Sequence, residues 1–201
     1  EIDIWNEKLS TNIKSAFIPN TRSQIYFLEF NNFFKDLPEL LYKSRNGRFY
    51  KDNEEKFSFF VESSLETLKK LFWVPDVIIF NDWQTSMLPL LLQKRMKKDS
   101  WFKNIKTVFF LHNNCDQFNF SNQIFEKLNL EYNKRKKTQN LMELAINSSD
   151  FTFVFNDIKS SKIKSLLKDN RHKIVGPLDN LKSSEKLEIF NTVSKEISSL
   201  I

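Results

Sequence analysis

Hydrophobic positions along the chain alternate between short apolar runs and longer stretches with helical spacing. The clearest helix runs from Asn53 to Trp73, where apolar side chains recur every three or four residues and predict one buried stripe. Pro75-Asp76 ends this pattern and leads into VIIF (77–80), an all-apolar run typical of a parallel strand covered on both faces. A second helix is predicted from about Thr85 to Lys97, with Pro89 in its first turn.

The same alternation continues over the rest of the chain. Further strands are predicted at 14–19, 24–30, 106–114, 151–155 and 173–175, and further helices at about 136–147, 157–168 and from 183 onward. Residues 31–52 predict an irregular segment that holds at most one short helix. This order of elements predicts an α/β, Rossmann-like fold with a mostly parallel sheet flanked by helices.

The length and hydrophobic content of the chain suit one main domain. The 201 residues are 40% hydrophobic, and the sequence shows neither an internal repeat nor a long linker. We therefore expect a domain over residues 1–180, with a C-terminal helix at 181–201 that packs on it. Because the chain begins with Glu1 and shows no basic-then-apolar leader, it is either processed or part of a longer protein, and we expect the latter.

Composition excludes several classes of function. The single cysteine, Cys115, and the lack of any apolar run of bilayer length argue against disulfide scaffolds and membrane spans, and favour a cytoplasmic protein. The net charge is +6, but basic residues are interspersed with acids apart from NKRKK (133–137), so nucleic-acid binding is not expected. Two glycines, Gly47 and Gly176, form no phosphate-binding loop, and two distant histidines form no metal-ligand pattern.

Two polar residues directly follow apolar strands and are the candidates for chemistry. Asp82 follows the strand at 77–80, and His112 lies at the end of the next strand. Ligands of open α/β sheets bind beyond the carboxyl ends of the strands, so these two side chains could meet in one crevice. From spacing alone, the favoured role for Asp82 is to cap the helix near Thr85 while Trp83 packs beneath it. His112 is either a hydrogen-bonded packing residue or a catalytic residue.

The residues present would also allow two other kinds of catalytic site. Cys115 lies three residues after His112, although residues so close in one chain rarely form a nucleophile and base pair. The carboxylate pairs that could serve a glycosidase are Asp76 with Asp82 and Asp36 with Glu39.

An ordered set of short motifs adds a family resemblance. The motifs are Tyr-Phe-Leu (26–28), Asp-Asn (52–53), Phe-x-Phe-Phe (57–60), Trp-x-Pro-Asp (73–76), Asp-Trp-Gln-Thr (82–85) and FKNIKTVFFLHNN (102–114). In this order they resemble the N-terminal domain of the bacterial glycogen and starch synthases, the family 5 glycosyltransferases. The likeness covers residues 14–114 well and extends more weakly to about 168.

The resemblance implies a fold and a reaction. Such enzymes transfer glucose from ADP-glucose to the non-reducing end of an α-1,4-glucan, with retention of configuration and without a metal or other cofactor. They have a GT-B fold, in which an N-terminal Rossmann-like domain engages the glucan and a C-terminal domain holds the nucleotide sugar. This chain would be the N-terminal half without its first strand, and a C-terminal domain or partner chain would supply the donor site. The alternative is a non-catalytic glucan-binding or regulatory relic.

The resemblance also assigns site residues by position. Asp82 and His112 match catalytic residues of the family. The implied substrate-binding residues are Trp83, Gln84, Asn113 and Gln117. The chain departs from the family in lacking its Lys-x-Gly-Gly loop and in carrying Asn81 where a histidine usually precedes the acid.

Overall fold

The fold is given by a computed structural model that describes residues 2–5, 7–35, 37, 39–112, 118–168, 172–178 and 181–201. The chain divides into two compact units, Glu1–Thr67 and Leu68–Ile201. Within the described residues, no helix is long and apolar enough to cross a membrane.

The described residues of the first unit form two β-hairpins, a short helix and most of a long one. Strand β1 (Ile2–Ile4) pairs with β2 (Glu7–Leu9), and β3 (Asn12–Phe17) pairs with β4 (Gln24–Glu29), both antiparallel. Helix α1 (Asn31–Phe34) is followed by irregular chain and then by α2 (Asn53–Lys70). The strands predicted at 14–19 and 24–30 and the irregular segment at 31–52 are thus confirmed.

Helix α2 ends earlier than its hydrophobic pattern predicted. Phe72 adopts a left-handed φ of 52°, and the N–H of Trp73 donates to the carbonyl of Leu68 at 3.0 Å. The N–H of Phe72 donates to the carbonyl of Lys69 at 3.1 Å, and the two bonds together form a Schellman cap. Because the apolar periodicity continues into this cap, the predicted helix extended three residues beyond the observed end at Lys70.

The second unit is built on a four-stranded parallel sheet. Its strands are β5 (Val77–Asn81), β6 (Lys106–Leu111), β9 (Phe151–Val154) and β10 (His172–Ile174), and a separate antiparallel pair is formed by β7 (Asn119–Ser121) and β8 (Thr138–Asn140). The strand order β10-β9-β6-β5 is parallel throughout. The helices are α3 (Leu88–Met96), α4 (Asn122–Lys127), α5 (Leu141–Ser148), α6 (Ser161–Leu166) and α7 (Ser183–Ser198). The predicted parallel α/β fold is confirmed.

The strand at 77–81 differs from its prediction. It was expected to be covered on both faces, but β5 is the last strand of the four-stranded sheet and only Phe80 is buried along it. Ile79 keeps 45% of its surface exposed. An apolar run indicates a strand but carries no information on strand order, so its edge position was not visible in the sequence.

The core of the second unit lies around the inner strand β6. Val108 on β6 and Phe153 on β9 are fully buried and pack with Val193 of α7, so this helix covers one face of the sheet. Phe109, the next residue on β6, is also fully buried and stacks on Phe80 at 4.9 Å. Because alternate residues of a strand face opposite sides, both faces of β6 are covered. Its carboxyl end is therefore held rigidly in place.

Candidate active site at the carboxyl edge of the sheet

Strands β5, β6 and β9 end side by side and together form what we call the carboxyl edge of the sheet. In the register of the parallel ladder, Asn81 lies opposite Phe110, and Leu111 lies opposite Val154. Asp82 and His112 are the residues that follow β5 and β6. The N–H of His112 donates to Oδ1 of Asp82 at 2.8 Å, so the two candidate residues do meet.

Asp82 leaves the strand ladder in an unusual way. Its N–H donates to the carbonyl of Phe110 at 3.1 Å, and the parallel pattern would next pair the His112 N–H with the Asp82 carbonyl. The backbone instead turns away at Asp82, with φ 51° and ψ −168°, a region that is almost restricted to glycine. The carboxylate takes the place of the carbonyl as the acceptor, so the last rung of the ladder is made by a side chain.

The structure contradicts the expectation that Asp82 caps the following helix. Residues Trp83–Thr85 form a 3₁₀ turn, and the Asp82 side chain makes no capping hydrogen bond to it. The turn is closed by hydroxyl groups, since Oγ1 of Thr85 donates to the Asn81 carbonyl at 2.6 Å and Oγ of Ser86 donates to the Asp82 carbonyl at 3.1 Å. The positive φ is the physical reason, because it directs the carboxylate toward β6.

Trp83 and Gln84 occupy the 3₁₀ turn. Trp83 is buried, and its ring stacks on Phe118 with centroids 4.4 Å apart and planes 12° apart. Phe120 packs against it edge-on at 6.5 Å, so the indole fills the space under the turn. Gln84 is half-buried in the same turn, beside Asp82. This packing favours a structural role for Trp83 and leaves Gln84 as the predicted substrate contact.

His112 is held at three points. Its backbone is bound by Asp82, its Nε2 lies 3.0 Å from Oδ1 of Asn81, and its ring lies flat on Phe155 at 4.9 Å with an interplanar angle of 15°. The ring of Phe110 approaches edge-on at 6.3 Å. The imidazole is half-buried and oriented by groups from three strand ends. This arrangement provides an ordered polar ring next to a carboxylate.

Phe155 owes its position to a close backbone approach. Its N–H donates to the carbonyl of Leu111 at 2.9 Å. On the other side lies Gly176, where an added Cβ would fall 2.1 Å from the Phe155 carbonyl oxygen. Only glycine fits there without a shift of the backbone. Asn81, Phe155 and Gly176 were not predicted as parts of the site; the scarcity of glycine was the one sequence signal for Gly176.

Comparison with known proteins connects this geometry to a family. The model of the starch synthase catalytic domain matches residues 2–158. The chain belongs to the starch synthase catalytic domain family. The resemblance seen in the motifs is thereby confirmed.

The relatives that this chain resembles include bacterial glycogen synthases. The chain is 38% identical over 133 residues to the glycogen synthase of Clostridium perfringens, which covers 62% of this chain and 28% of that protein. It is 37% identical over 131 residues to the glycogen synthase of Chlorobium chlorochromatii, with coverages of 64% and 26%. The chain thus spans about a quarter of the length of the curated relatives that it matches.

A solved structure supports the fold. The catalytic domain of Starch Synthase IV from Arabidopsis thaliana, bound to ADP and acarbose, matches with a TM-score of 0.58 and 19% identity. The match covers 71% of this chain and 30% of that one. This match confirms that the chain has the α/β fold found in the catalytic domain of a GT-B glycosyltransferase.

Several sequence-based candidates fall elsewhere. Asn113, Cys115 and Gln117 lie outside the described residues, as does Asp36. Asp76 precedes β5 and Asp82 follows it, so the five extended residues of the strand lie between them. This places the two carboxylates about 20 Å apart, too far for a glycosidase pair. Among the described residues, no group of three or more His, Cys, Asp or Glu side chains could hold a metal ion.

Proposed function

We propose that this chain is the acceptor-side part of a glycogen or starch synthase-type glucosyltransferase. The whole enzyme would transfer glucose from ADP-glucose to the non-reducing end of an α-1,4-glucan. Family membership supports the reaction class. The observation that carries the proposal is the joining of Asp82 and His112 at the carboxyl edge, through a strained turn and an N–H to carboxylate bond of 2.8 Å.

The strained turn is the reason to assign function rather than packing. A non-glycine residue in this backbone region costs about 1–3 kcal/mol and persists where the surrounding structure enforces it. At Asp82 the conformation sets a carboxylate beside the backbone of His112. An ordinary strand-to-helix turn with a capping aspartate would hold the fold without that cost.

The chemistry of glycosyl transfer suits these two side chains. Positive charge develops on the transferred sugar while a nucleotide phosphate departs, and fixed dipoles and charges stabilise such a transition state. We assign the carboxylate of Asp82 to the developing positive charge. His112 would bind a hydroxyl of the glucosyl unit, because its ring is fixed by Asn81 and Phe155.

The remaining parts of the proposal concern the donor site, the partner, the location and the cofactor. Because it spans about a quarter of its relatives, we propose that a C-terminal domain or partner chain supplies the nucleotide-sugar site. The relative of known structure was bound to ADP and acarbose, which fits a nucleoside diphosphate and a sugar chain as ligands. We also propose a cytoplasmic location, an α-glucan rather than a nucleic acid as partner, and no cofactor besides the donor.

The test is incorporation of labelled glucose from ADP-glucose into glycogen by the full-length gene product. We expect incorporation that is lost in Asp82→Asn and in His112→Ala. Glu131→Gln is the matched control, because Glu131 is almost fully exposed. Co-sedimentation with glycogen is measured on the same sample, at low and high salt.

The outcomes separate the candidate functions. Sedimentation without incorporation would indicate a glucan-binding relic of the family. Failure of both measurements would refute the proposed function. Glucan binding should be nearly independent of salt, whereas binding to nucleic acid would weaken steeply as salt increases.

A further inference from the structure

We propose that Asn81 is a positioning residue that fixes the tautomer of His112. Its side-chain oxygen would hold the proton on Nε2, which leaves Nδ1 as the ring nitrogen that accepts a hydrogen bond from a sugar hydroxyl. The part of this inference that concerns the sugar rests on the proposed function. The tautomer itself is a property of the chain and is measured without substrate.

The first step is the contact between the two side chains. Asn81 is the last residue of β5, and its Oδ1 lies 3.0 Å from Nε2 of His112. An amide oxygen only accepts hydrogen bonds, so Nε2 must carry a proton to bond to it. A neutral imidazole has one N–H, and the lone pair then lies on Nδ1.

The second step is that Asn81 is itself fixed. Its backbone is paired in the parallel ladder opposite Phe110, and its carbonyl accepts the hydroxyl of Thr85 at 2.6 Å. The 3₁₀ turn therefore closes onto the same residue that contacts the imidazole. Asn81 is exposed at the edge of the sheet, so its polar side chain is not needed to fill the core.

The third step is that the ring of His112 has one favoured orientation. Asp82 binds its backbone N–H, and Phe155 packs flat against one face of the ring. Rotation of the ring by 180° would replace Nε2 with a carbon atom near Asn81 and lose the hydrogen bond. Within the described residues, Nδ1 forms no hydrogen bond of its own. That nitrogen is therefore the one that a ligand hydroxyl would meet.

The first measurement is a nitrogen-15 NMR spectrum of the imidazole in the full chain, without ligand and above neutral pH. We expect a protonated Nε2 and an unprotonated Nδ1. A spectrum with the proton on Nδ1 would overturn the inference, whatever the variants do. This arm involves no turnover, so its result is independent of the proposed function.

The second measurement compares variants at position 81. Asn81→Leu should lose the protected Nε2–H signal and lower kcat of the full-length gene product by about 10–100-fold, as is typical when a supporting hydrogen bond is removed. Asn81→Asp keeps an oxygen in the same place and should retain the Nε2–H signal. Asn104→Leu is the control, because Asn104 is exposed at the opposite end of β6.

The variant outcomes are decisive in either direction. Loss of turnover in Asn81→Leu with an unchanged ring spectrum would overturn the positioning role. Loss of the Nε2–H signal in Asn81→Asp would also overturn the positioning role. If Asn81→Leu fails to fold, Asn81→Asp alone provides the test. A fixed tautomer in a protein that transfers no glucose would support the inference while refuting the proposed function.

Discussion

The strained turn at Asp82 makes a quantitative prediction about three substitutions. Asp82→Ala removes the acceptor of the His112 N–H and keeps the backbone at φ 51°. A hydrogen bond to a charged group contributes about 1.5–3 kcal/mol to folding. Since Asp82 is half-buried, we expect a loss of about 2 kcal/mol. Asp82→Asn keeps an oxygen acceptor and should lose less stability than the alanine variant.

The glycine variant separates the strain from the hydrogen bond. Asp82→Gly loses the same acceptor but relieves about 1–3 kcal/mol of backbone strain. Glycine also costs about 0.5–1 kcal/mol of chain entropy on folding. Subtracting these central values, we expect the glycine variant to be about 1 kcal/mol more stable than the alanine variant.

The assay is urea unfolding at neutral pH, with stability read from the midpoint and the slope. Asp76 is the control position, because it is exposed and its φ is not positive. There glycine should be less stable than alanine by about 0.5–1 kcal/mol. A glycine variant at position 82 that is also less stable than the alanine variant would refute the claim of strain.

Three further predictions concern the supports of the site and an ion-pair network. Gly176→Ala should cost about 1–3 kcal/mol and lower turnover, because its Cβ would displace the Phe155 backbone under the imidazole. Trp83→Ala should cost about 3–5 kcal/mol in urea unfolding. Burial raises the pKa of Glu143, but hydrogen bonds from Lys162 and a second lysine outweigh this effect and hold the pKa below its usual value. The ion pairs of Glu143 therefore stabilise the fold fully above the pKa of the unfolded state, and this stabilisation is lost as the pH falls through the pKa of the folded state. Glu143→Gln should lower the free energy of unfolding by less than about 1 kcal/mol near pH 7 and should not change it in acid.

Matched controls decide these three predictions. Gly47→Ala meets no atom within 4 Å but strains a backbone at φ 86°, so it should lose stability without a change in turnover. An equal loss of turnover in both alanine variants would contradict the steric account. A Trp83→Phe protein with an unchanged melting temperature but lost glucan affinity would show a direct binding role for the indole. A stability difference for Glu143→Gln that persists undiminished at low pH would contradict the lysine network.

The sequence predicted the parts of the fold that depend on periodicity. Buried strands such as 106–111 and the long helix from Asn53 have clear patterns, because a single face of each must be apolar. Helix α4 was not predicted, since six residues are too few to show a period. The predicted cap at Asp82 was wrong because spacing carries no information on φ, and φ decides where the carboxylate points.

The support of His112 depends on the order of strands in the sheet. Phe155 is 43 residues away along the chain and reaches the imidazole only because β9 lies beside β6. No local pattern contains that information. Strand-end position and family motifs both identified Asp82 and His112, whereas the contacts of Asn81, Phe155 and Gly176 became visible only in the structure.

The decisive measurement is the turnover of His112→Ala against the wild type in the full-length gene product, with the free energy of unfolding determined for both. The account predicts that kcat for glucose transfer to glycogen falls by about 10²–10³, as when one preorganised donor or acceptor is removed. The free energy of unfolding should fall by only about 1 kcal/mol, because the ring is half-buried and packs flat on one aromatic ring. Undiminished kcat, or a loss of activity no greater than the loss of folded protein, would show that His112 is a packing residue.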